Sequence, residues 1–295
     1  MTTYVSTPRG VLRDYVALTK PRIISLLLIT ALGGMFLAAR GVPDWATIVV
    51  VLVAGSLASG GANAINHYLD RDIDYKMLRT RQRPVPGGRV TGRDALYFGV
   101  ALNVVAFALL SILVNPLSAG LTLAATAVYV FVYTLGLKRT SPQNIVIGGA
   151  AGAFPPMVGW AAVQGDVGIA SVYLFAIVFF WTPPHFWSLA LMLKDDYAEA
   201  GIPMLPVVSG VDETKRQIVL YATLLTALTV MFVVTREVGW IYGISAAVLG
   251  VGYLYYAIRL MISPGIEQAK PAYLFSLAYL TLLFVAVMVD ASVLS

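Results

Sequence analysis

The sequence predicts an all-α, polytopic membrane protein of nine transmembrane helices with its N-terminus in the cytoplasm. Three observations predict it. Only 12% of the 295 residues are charged and 59% are hydrophobic, where soluble domains carry about 25% charged residues. Apolar runs of about 18 residues or more recur along the chain, each long enough to cross a hydrocarbon core of about 30 Å as a helix, the form in which a backbone in lipid satisfies its own hydrogen bonds. The basic residues favour one set of connections over the other.

The runs lie, in order, at 22–40, 45–66, 95–114, 117–136, 144–163, 168–192, 217–235, 240–261 and 272–290, and read as one domain over residues 1–295. Residues 1–20 lack both the apolar core of a signal peptide and the basic, serine-rich character of a transit sequence, which predicts insertion through the first span in a prokaryotic plasma membrane. The tail and the even-numbered connections hold 18 of the 20 Lys and Arg, leaving Arg40 and Arg236 for the other side. Positive residues stay inside, so the N-terminus reads as cytoplasmic and, after nine spans, the C-terminus as external. The net charge of +5 therefore reports topology rather than a nucleic-acid partner. Cysteine is absent, which excludes disulfides, thiolate metal sites and a cysteine nucleophile.

The second span ends in "NAINHYLDRDIDYKMLRTRQRP", residues 63–84. Charge at bilayer depth costs roughly 2.5–3.5 kcal/mol on insertion scales, so ionisable residues there suggest a site. With Asn63 at zero and about 100° per residue, Asn66 falls at about −60°, His67 at +40°, Asp70 at −20° and Asp74 at +20°. These five share one stripe. Asp72 falls on the opposite face, where a nearby basic side chain is its natural partner. Asn66, Asp70 and Asp74 stack hard oxygen ligands one turn apart, a set that suits Mg²⁺ bridging carboxylates to phosphate oxygens. Arg79, Arg81 and Arg83 follow, and guanidinium groups bind phosphate bidentately. An ordinary solvated helix end paired with Arg71 and Lys76 is the plainer account, but it leaves the one-face stripe and the two asparagines unexplained.

The sixth span and its loop, "FFWTPPHFWSLALMLKDDYAEAGIPMLPVVSG", cover residues 179–210. Pro183 and Pro184 remove two backbone donors and predict a kink or break facing a cavity. His185 follows, flanked by Trp181, Phe186 and Trp187, and lies eleven positions before Asp196 on nearly the same helical face. A satisfied interior histidine beside an interfacial tryptophan belt and an aromatic slot for a large planar ligand both fit this composition. Lys194, Asp195, Asp196 and Tyr197 similarly read as a plain polar loop or as the second wall of a site. Both clusters end an even-numbered span, and each is followed by a proline-bearing loop. Two half-sites converging on one membrane face would account for that.

These residues carry a resemblance. Asn66-x-x-x-Asp70-x-x-x-Asp74 with "RTRQRP" resembles the first signature of the intramembrane aromatic prenyltransferase (UbiA-type) superfamily. "WTPPHFWSLALMLKDDYAEAGIPMLP" resembles the second signature of its protohaem IX farnesyltransferase (haem O synthase) branch. The resemblance covers nearly the whole chain, from "YVALTKPRI" to the ninth span. It implies nine helices around a central cavity, with lid loops at about 75–94 and 193–216 on the cytoplasmic side. It also implies transfer of the farnesyl group of farnesyl diphosphate to a vinyl group of haem B, with Mg²⁺ as cofactor and haem as substrate.

On that basis Asn66, Asp70 and Asp74 would hold metal and diphosphate, Arg79 and Arg83 would clamp phosphate oxygens, and Asn63 would orient the set. Lys194 and Asp196, with Tyr197 beside them, would complete the diphosphate side. His185, with Trp181, would position haem, either as an axial ligand or by hydrogen bonding near the vinyl group. Quinone-precursor members carry a second D-x-x-x-D stripe, whereas this chain offers Asp195-x-x-x-Glu199 and adjacent Asp196; the second set is thus Asp196 with Asp195 as its alternative. His67 shares the stripe but matches no position of the signature, so it stands as an extra ligand by its angle alone. A downstream haem-modifying enzyme or terminal oxidase assembly is the partner the resemblance implies. Transfer to an aromatic acid or quinone precursor is the alternative reaction, although a small acceptor has no evident need of the Trp181–Trp187 region. A transporter should carry ionisable groups toward both faces, whereas both acidic clusters here lie toward one.

Overall fold

In the computed structural model, which describes residues 8–293, the apolar runs form nine long helices among the described residues. They are α2 (Pro21–Ala39), α3 (Trp45–Leu69), α5 (Gly92–Leu113), α6 (Pro116–Ala127) continuing as a π-helix over Val128–Leu137, α7 (Asn144–Gly148) continuing as α8 (Ala150–Gln164), α9 (Ile169–Met192), α12 (Gly210–Met231), α13 (Trp240–Ile262) and α14 (Ala269–Val293). Short helices join them: α1 (Pro8–Thr19), α4 (Arg71–Lys76), α10 (Lys194–Glu199) and α11 (Leu205–Val208). The expected spans and the observed helices coincide closely, except that α12 begins at Gly210, seven residues before its apolar run. Its first two turns hold Asp212, Glu213, Lys215 and Arg216, charge that a hydropathy pattern reads as loop. Helix α1 is likewise invisible to such a pattern.

Small residues set how closely the helices pack. A Cβ on Gly61 of α3 would lie 2.6 Å from the carbonyl oxygen of Gly99 in α5, and a Cβ on Gly99 would lie 2.6 Å from that of Gly61. The two backbones therefore touch, as small residues allow between membrane helices, and α3 is held rigidly just below the turns that carry its polar stripe. The opposite half is filled by aromatic rings, with Trp181, Phe232, Tyr242, Tyr253, Tyr279 and Phe284 buried in one cluster.

Of the kink or break expected at Pro183–Pro184, the break does not occur: α9 is helical without interruption from Ile169 to Met192. Both prolines are buried. The Thr182 hydroxyl donates to Val178 O at 2.9 Å and that of Ser188 to Pro184 O at 2.7 Å. The carbonyls that the two prolines leave without an α-helical donor are those of Phe179 and Phe180, and packing against neighbouring helices is what lets proline persist within a membrane helix.

Helix α13 is capped at both ends by its neighbours. Gly239 stands at its N-cap without a side chain, and Asp290 of α14 accepts the N–H of Gly239 at 2.5 Å and of Tyr242 at 3.1 Å. At the other end Lys215 of α12, also buried, donates to Ser263 O at 2.7 Å. Each charge complements the helix dipole where it sits. Replacing Asp290 with Ala would strand the buried Tyr242 N–H, at about 1–3 kcal/mol, and the part-buried Gly239 N–H at less. A lowered midpoint for Asp290→Ala in thermal unfolding of the detergent-solubilised protein is expected, with Asp290→Asn less affected because it keeps one acceptor.

Candidate active site

Helix α3 delivers its last polar residues into the interior. Asn63, Asn66, His67, Asp70 and Asp74 are all under 7% exposed. The helix ends at Leu69 because Asp70 adopts φ −95°, ψ 8°, and α4 restarts at Arg71. A single continuous helix, the basis of the angular reading, is therefore not what the chain forms. The break is slight, since Asp74 N still donates to Asp70 O at 2.8 Å, and both carboxylates remain inward. Asp72 points outward and takes two hydrogen bonds from Arg139, at 2.7 and 2.8 Å, the basic partner its angle called for.

Each inward carboxylate meets a cation from outside its own helix. Asp70 Oδ2 accepts from Asn66 Nδ2 at 2.6 Å and from Lys138 Nζ. Arg83 Nη1 sits 2.8 Å from both oxygens of Asp74. Lys20 Nζ donates to Asn66 Oδ1 at 3.2 Å, and Thr134 Oγ1 accepts from Asn66 Nδ2 at 3.3 Å. Asn63 is tied by its amide to Thr19 O and Ser59 O, at 3.2 and 3.0 Å. Arg139 Nη2 also stands 3.8 Å from Asp70 Oδ1, so four cations gather around two carboxylates. Burial first, then the neighbouring Arg83 and Lys138, push the Lys20 ammonium down to about 7, while Asp74 and Asp70 pull it up.

Local distortions place two of these cations. Lys20, between α1 and α2, has φ 53°, ψ 59°, a left-handed conformation uncommon for a non-glycine residue and found where surrounding structure imposes it. Lys138 closes the π-helix, its N–H bonded five residues back to Tyr133 O at 2.8 Å, and the Thr134 hydroxyl likewise donates to Tyr129 O at 2.9 Å. Such wide turns recur at functional sites.

Asp70 Oδ1 and both ring nitrogens of His67 are buried without a hydrogen-bond partner. The set is one of oxygen donors, two carboxylates and an amide, with one carboxylate oxygen free of hydrogen bonds. That fits Mg²⁺, which takes one or two carboxylates and completes its shell with water and phosphate oxygens. Among the described residues no three Asp, Glu, His or Cys side chains converge.

The second cluster reaches the same end of the bundle by a different path. Helix α9 stops at Met192, Leu193 turns out of the helix at φ −114°, ψ 20°, and α10 begins at Lys194. His185 and Asp196 therefore do not share one continuous helical face. Asp195 is exposed, Lys194 and Asp196 are half-buried, and Tyr197 is buried in an apolar cluster with Ile73, Met77, Ala200, Ile202 and Met204. This cluster joins α4 to α10 across the end of the bundle. Burial raises the Tyr197 phenol, opposed by the nearby charges of Arg79, Lys138 and Arg83; Arg79 itself is exposed. Within α9 the His185 ring stacks on Trp181 at 4.2 Å between centroids and on Tyr273 of α14 at 4.8 Å.

Lys20, Lys138 and Thr134 were not read as site residues from the sequence. The two lysines figured there only as topology markers, and their one signal was a cation at the same end of a span as the acidic stripe.

Nine apolar helices carrying a carboxylate and cation cluster at one end define a polytopic helical membrane protein with a site suited to a polyanion. The description that matches is the UbiA prenyltransferase family, over residues 27–285, and the chain belongs to that family. It is 49% identical over 301 residues to the protoheme IX farnesyltransferase of Deinococcus radiodurans, covering 98% of this chain and 96% of that protein. It is also 50% identical over 292 residues to the protoheme IX farnesyltransferase of Roseiflexus castenholzii, where it spans 99% of its own length but 55% of the relative's. A second Roseiflexus relative is spanned to 53%, so the chain covers about half the length of these two. Two solved structures share the fold: a UbiA homolog from Aeropyrum pernix K1, with TM-score 0.75 and 21% identity over 91% of this chain and 98% of that one, and a UbiA homolog from Archaeoglobus fulgidus bound to GPP and Mg²⁺, with TM-score 0.64 and 18% identity over 94% and 99%.

Arg139 holds the Asp72 carboxyl down at about 2. A depressed carboxyl contributes stability that is present above its unfolded value near 4 and lost as pH falls through about 2. Between pH 6 and 8 the contribution is constant, and exposure of the pair limits it to at most about 1 kcal/mol. Asp72→Asn is expected to lower the thermal midpoint slightly and equally at pH 6 and pH 8; a deficit that grows between those values would contradict the pairing.

Proposed function

We propose that this chain transfers the farnesyl group of farnesyl diphosphate to a vinyl group of haem B, producing haem O and releasing diphosphate. The observation that carries the reading is the buried cluster of Asp70, Asp74, Asn66, Arg83, Lys138 and Lys20, which has more cations than carboxylates. It is supported by the names of the relatives about 50% identical to the chain and by the prenyl diphosphate and Mg²⁺ in the Archaeoglobus neighbour's description.

In the reaction the bond between farnesyl C1 and the bridging oxygen breaks, and its electron pair leaves with diphosphate. The vinyl π pair forms the new carbon–carbon bond to C1. Water adds to the carbocation left beside the porphyrin and loses a proton, giving the hydroxyethylfarnesyl substituent. Asp70, Asp74 and Asn66 would hold Mg²⁺, with Asp196 or Asp195 as a second set, and the metal when bound would supply positive charge to the leaving group. Lys138, Arg83 and Lys20 donate to phosphate oxygens, as does Arg79 from the rim and Lys194 from α10. Charge on the departing diphosphate is thereby stabilised by groups already in place. Tyr197 and its apolar neighbours form a cover that keeps water from the allylic cation before the vinyl group reaches it. His185, Trp181 and Tyr273 supply the aromatic slot for the porphyrin. The protein sits in the plasma membrane with this end facing the cytoplasm, where the loops rich in Lys and Arg belong.

Membranes carrying the chain, supplied with haem B, farnesyl diphosphate and Mg²⁺, are expected to yield a farnesylated haem on chromatography of the extracted pigments. A folded, haem-binding preparation that yields none, or that prenylates an aromatic acid instead, would refute the reading. Asp70→Asn and Asp74→Asn should each lower turnover at least about 100-fold, the scale on which removal of one preorganised charge-stabilising group acts, while haem binding persists. Asp72→Asn, outside the cluster, should stay within about twofold of the parent chain, the effect expected of an exposed pair. Chelation of divalent metal should stop turnover, and Mg²⁺ should restore it.

A further inference from the structure

Ser276 lies in the middle of α14 and is fully buried, yet three polar contacts meet on it. Its hydroxyl donates to Tyr273 O one turn back, at 2.6 Å. Its Oγ is 2.6 Å from His185 Nδ1, and its backbone carbonyl accepts from Trp181 Nε1 at 2.8 Å. A serine hydroxyl has one hydrogen, and a carbonyl oxygen can only accept. With that hydrogen committed to Tyr273, the contact to His185 is a hydrogen bond only if Nδ1 carries the proton and donates. The neutral imidazole then has its lone pair on Nε2.

The rest of the ring's surroundings agree with this assignment. Trp181 and Tyr273 both stack on His185, with interplanar angles of 19° and 26°, so its two faces are covered and its orientation is fixed. Among the described residues Nε2 makes no hydrogen bond, and it is absent from the sealed, unpaired atoms that include both nitrogens of His67. The ring as a whole is half-buried. Nε2 is thus the one polar atom of the ring left open.

We propose that Ser276 is a positioning residue. It fixes the Nδ1–H tautomer of His185 and, through its carbonyl, the pose of Trp181, so that an unprotonated Nε2 is presented to the iron of the porphyrin substrate. This rests on the haem reading above, and it decides between the two roles that the sequence leaves open to His185: an Nε2 without hydrogen can ligate iron and cannot donate a hydrogen bond. Metal-binding histidines are commonly oriented by such a bond from the other ring nitrogen, and losing the partner costs about 10–100-fold in metal affinity.

The chain has only two histidines, so ¹⁵N-histidine labelling of the full chain in nanodiscs resolves them, and loss of a signal set in His185→Gln assigns His185. Without haem, His185 is expected to show a protonated Nδ1 and a bare Nε2. Ser276→Thr, which keeps the hydroxyl, should retain that pattern, and Ser276→Ala should lose it. On titration with haem B, the parent chain and Ser276→Thr should give the spectrum of nitrogen-ligated iron, with Ser276→Ala about 10-fold or more weaker. A proton on Nε2 in the parent chain overturns the proposal, as does a Ser276→Ala variant matching the parent in both measurements, or an iron spectrum unchanged in His185→Gln. Haem bound through His185 without farnesyl transfer would remove the proposed reaction and leave this assignment standing. A tautomer set by Ser276 in a chain that binds no haem removes both the iron ligand and the reaction.

Discussion

The buried carboxylates of Asp70 and Asp74 can exist at the end of an apolar bundle only because cations reach them. Breaking a buried ion pair by removing one partner costs about 3–5 kcal/mol, which is a large share of the 5–15 kcal/mol by which folded proteins are usually stable. The partners come from elsewhere in the chain: Lys138 from the end of the π-helix for Asp70, and Arg83 from the loop after α4 for Asp74. Lys20, between α1 and α2, reaches the same group through Asn66. The compensation ties four stretches of sequence together at one end of the protein. In the proposed reaction these same cations face phosphate, so the interaction that holds the free chain together is also the one that recognises its substrate.

Delivering those cations requires departures from regular helix. An α-helical repeat would bond Lys138 N to the carbonyl four residues back; the π-turn bonds it to Tyr133 and brings Lys138, Thr134 and Tyr129 to one side. The left-handed turn at Lys20 likewise ends α1 and starts α2 at Pro21, whose missing N–H costs nothing at the first helical position. Gly61 and Gly99 act in the opposite sense. Their contact brings the backbones of α3 and α5 together, which fixes the helix that carries the polar stripe.

Much of this architecture is legible in the sequence because lipid imposes a severe rule: every span must be long, apolar and internally hydrogen-bonded. The stripe of Asn66, Asp70 and Asp74 was legible for the related reason that polar groups at depth are expensive, and the outward Asp72 followed from the same angles. Partners across helices were not legible. Nothing in the local pattern says that the end of the fourth span lies beside the end of the second, so Lys138 passes for a topology marker. Hydropathy also cannot see that Leu193 breaks the helix between His185 and Asp196, or that Pro183 and Pro184 leave α9 unbroken. A helical wheel assumes regular geometry, and the site is built where that geometry fails.

Helix α9 links the two polar regions. His185 lies seven residues before its end at Met192, a rise of about 10 Å, while Tyr197, just beyond, packs on Ile73 and Met77 of the α4 segment. The aromatic slot is therefore anchored to α14 at Ser276 and the cover is anchored to α4, with one helix setting the separation between them. In the proposed reaction farnesyl C1 must leave the phosphate end and reach a vinyl carbon without meeting water, and a fixed spacing favours that better than two independently mobile sites would. The uninterrupted course of α9 through Pro183–Pro184 then has a reading in the proposed reaction: a break there would uncouple the porphyrin slot from the diphosphate end.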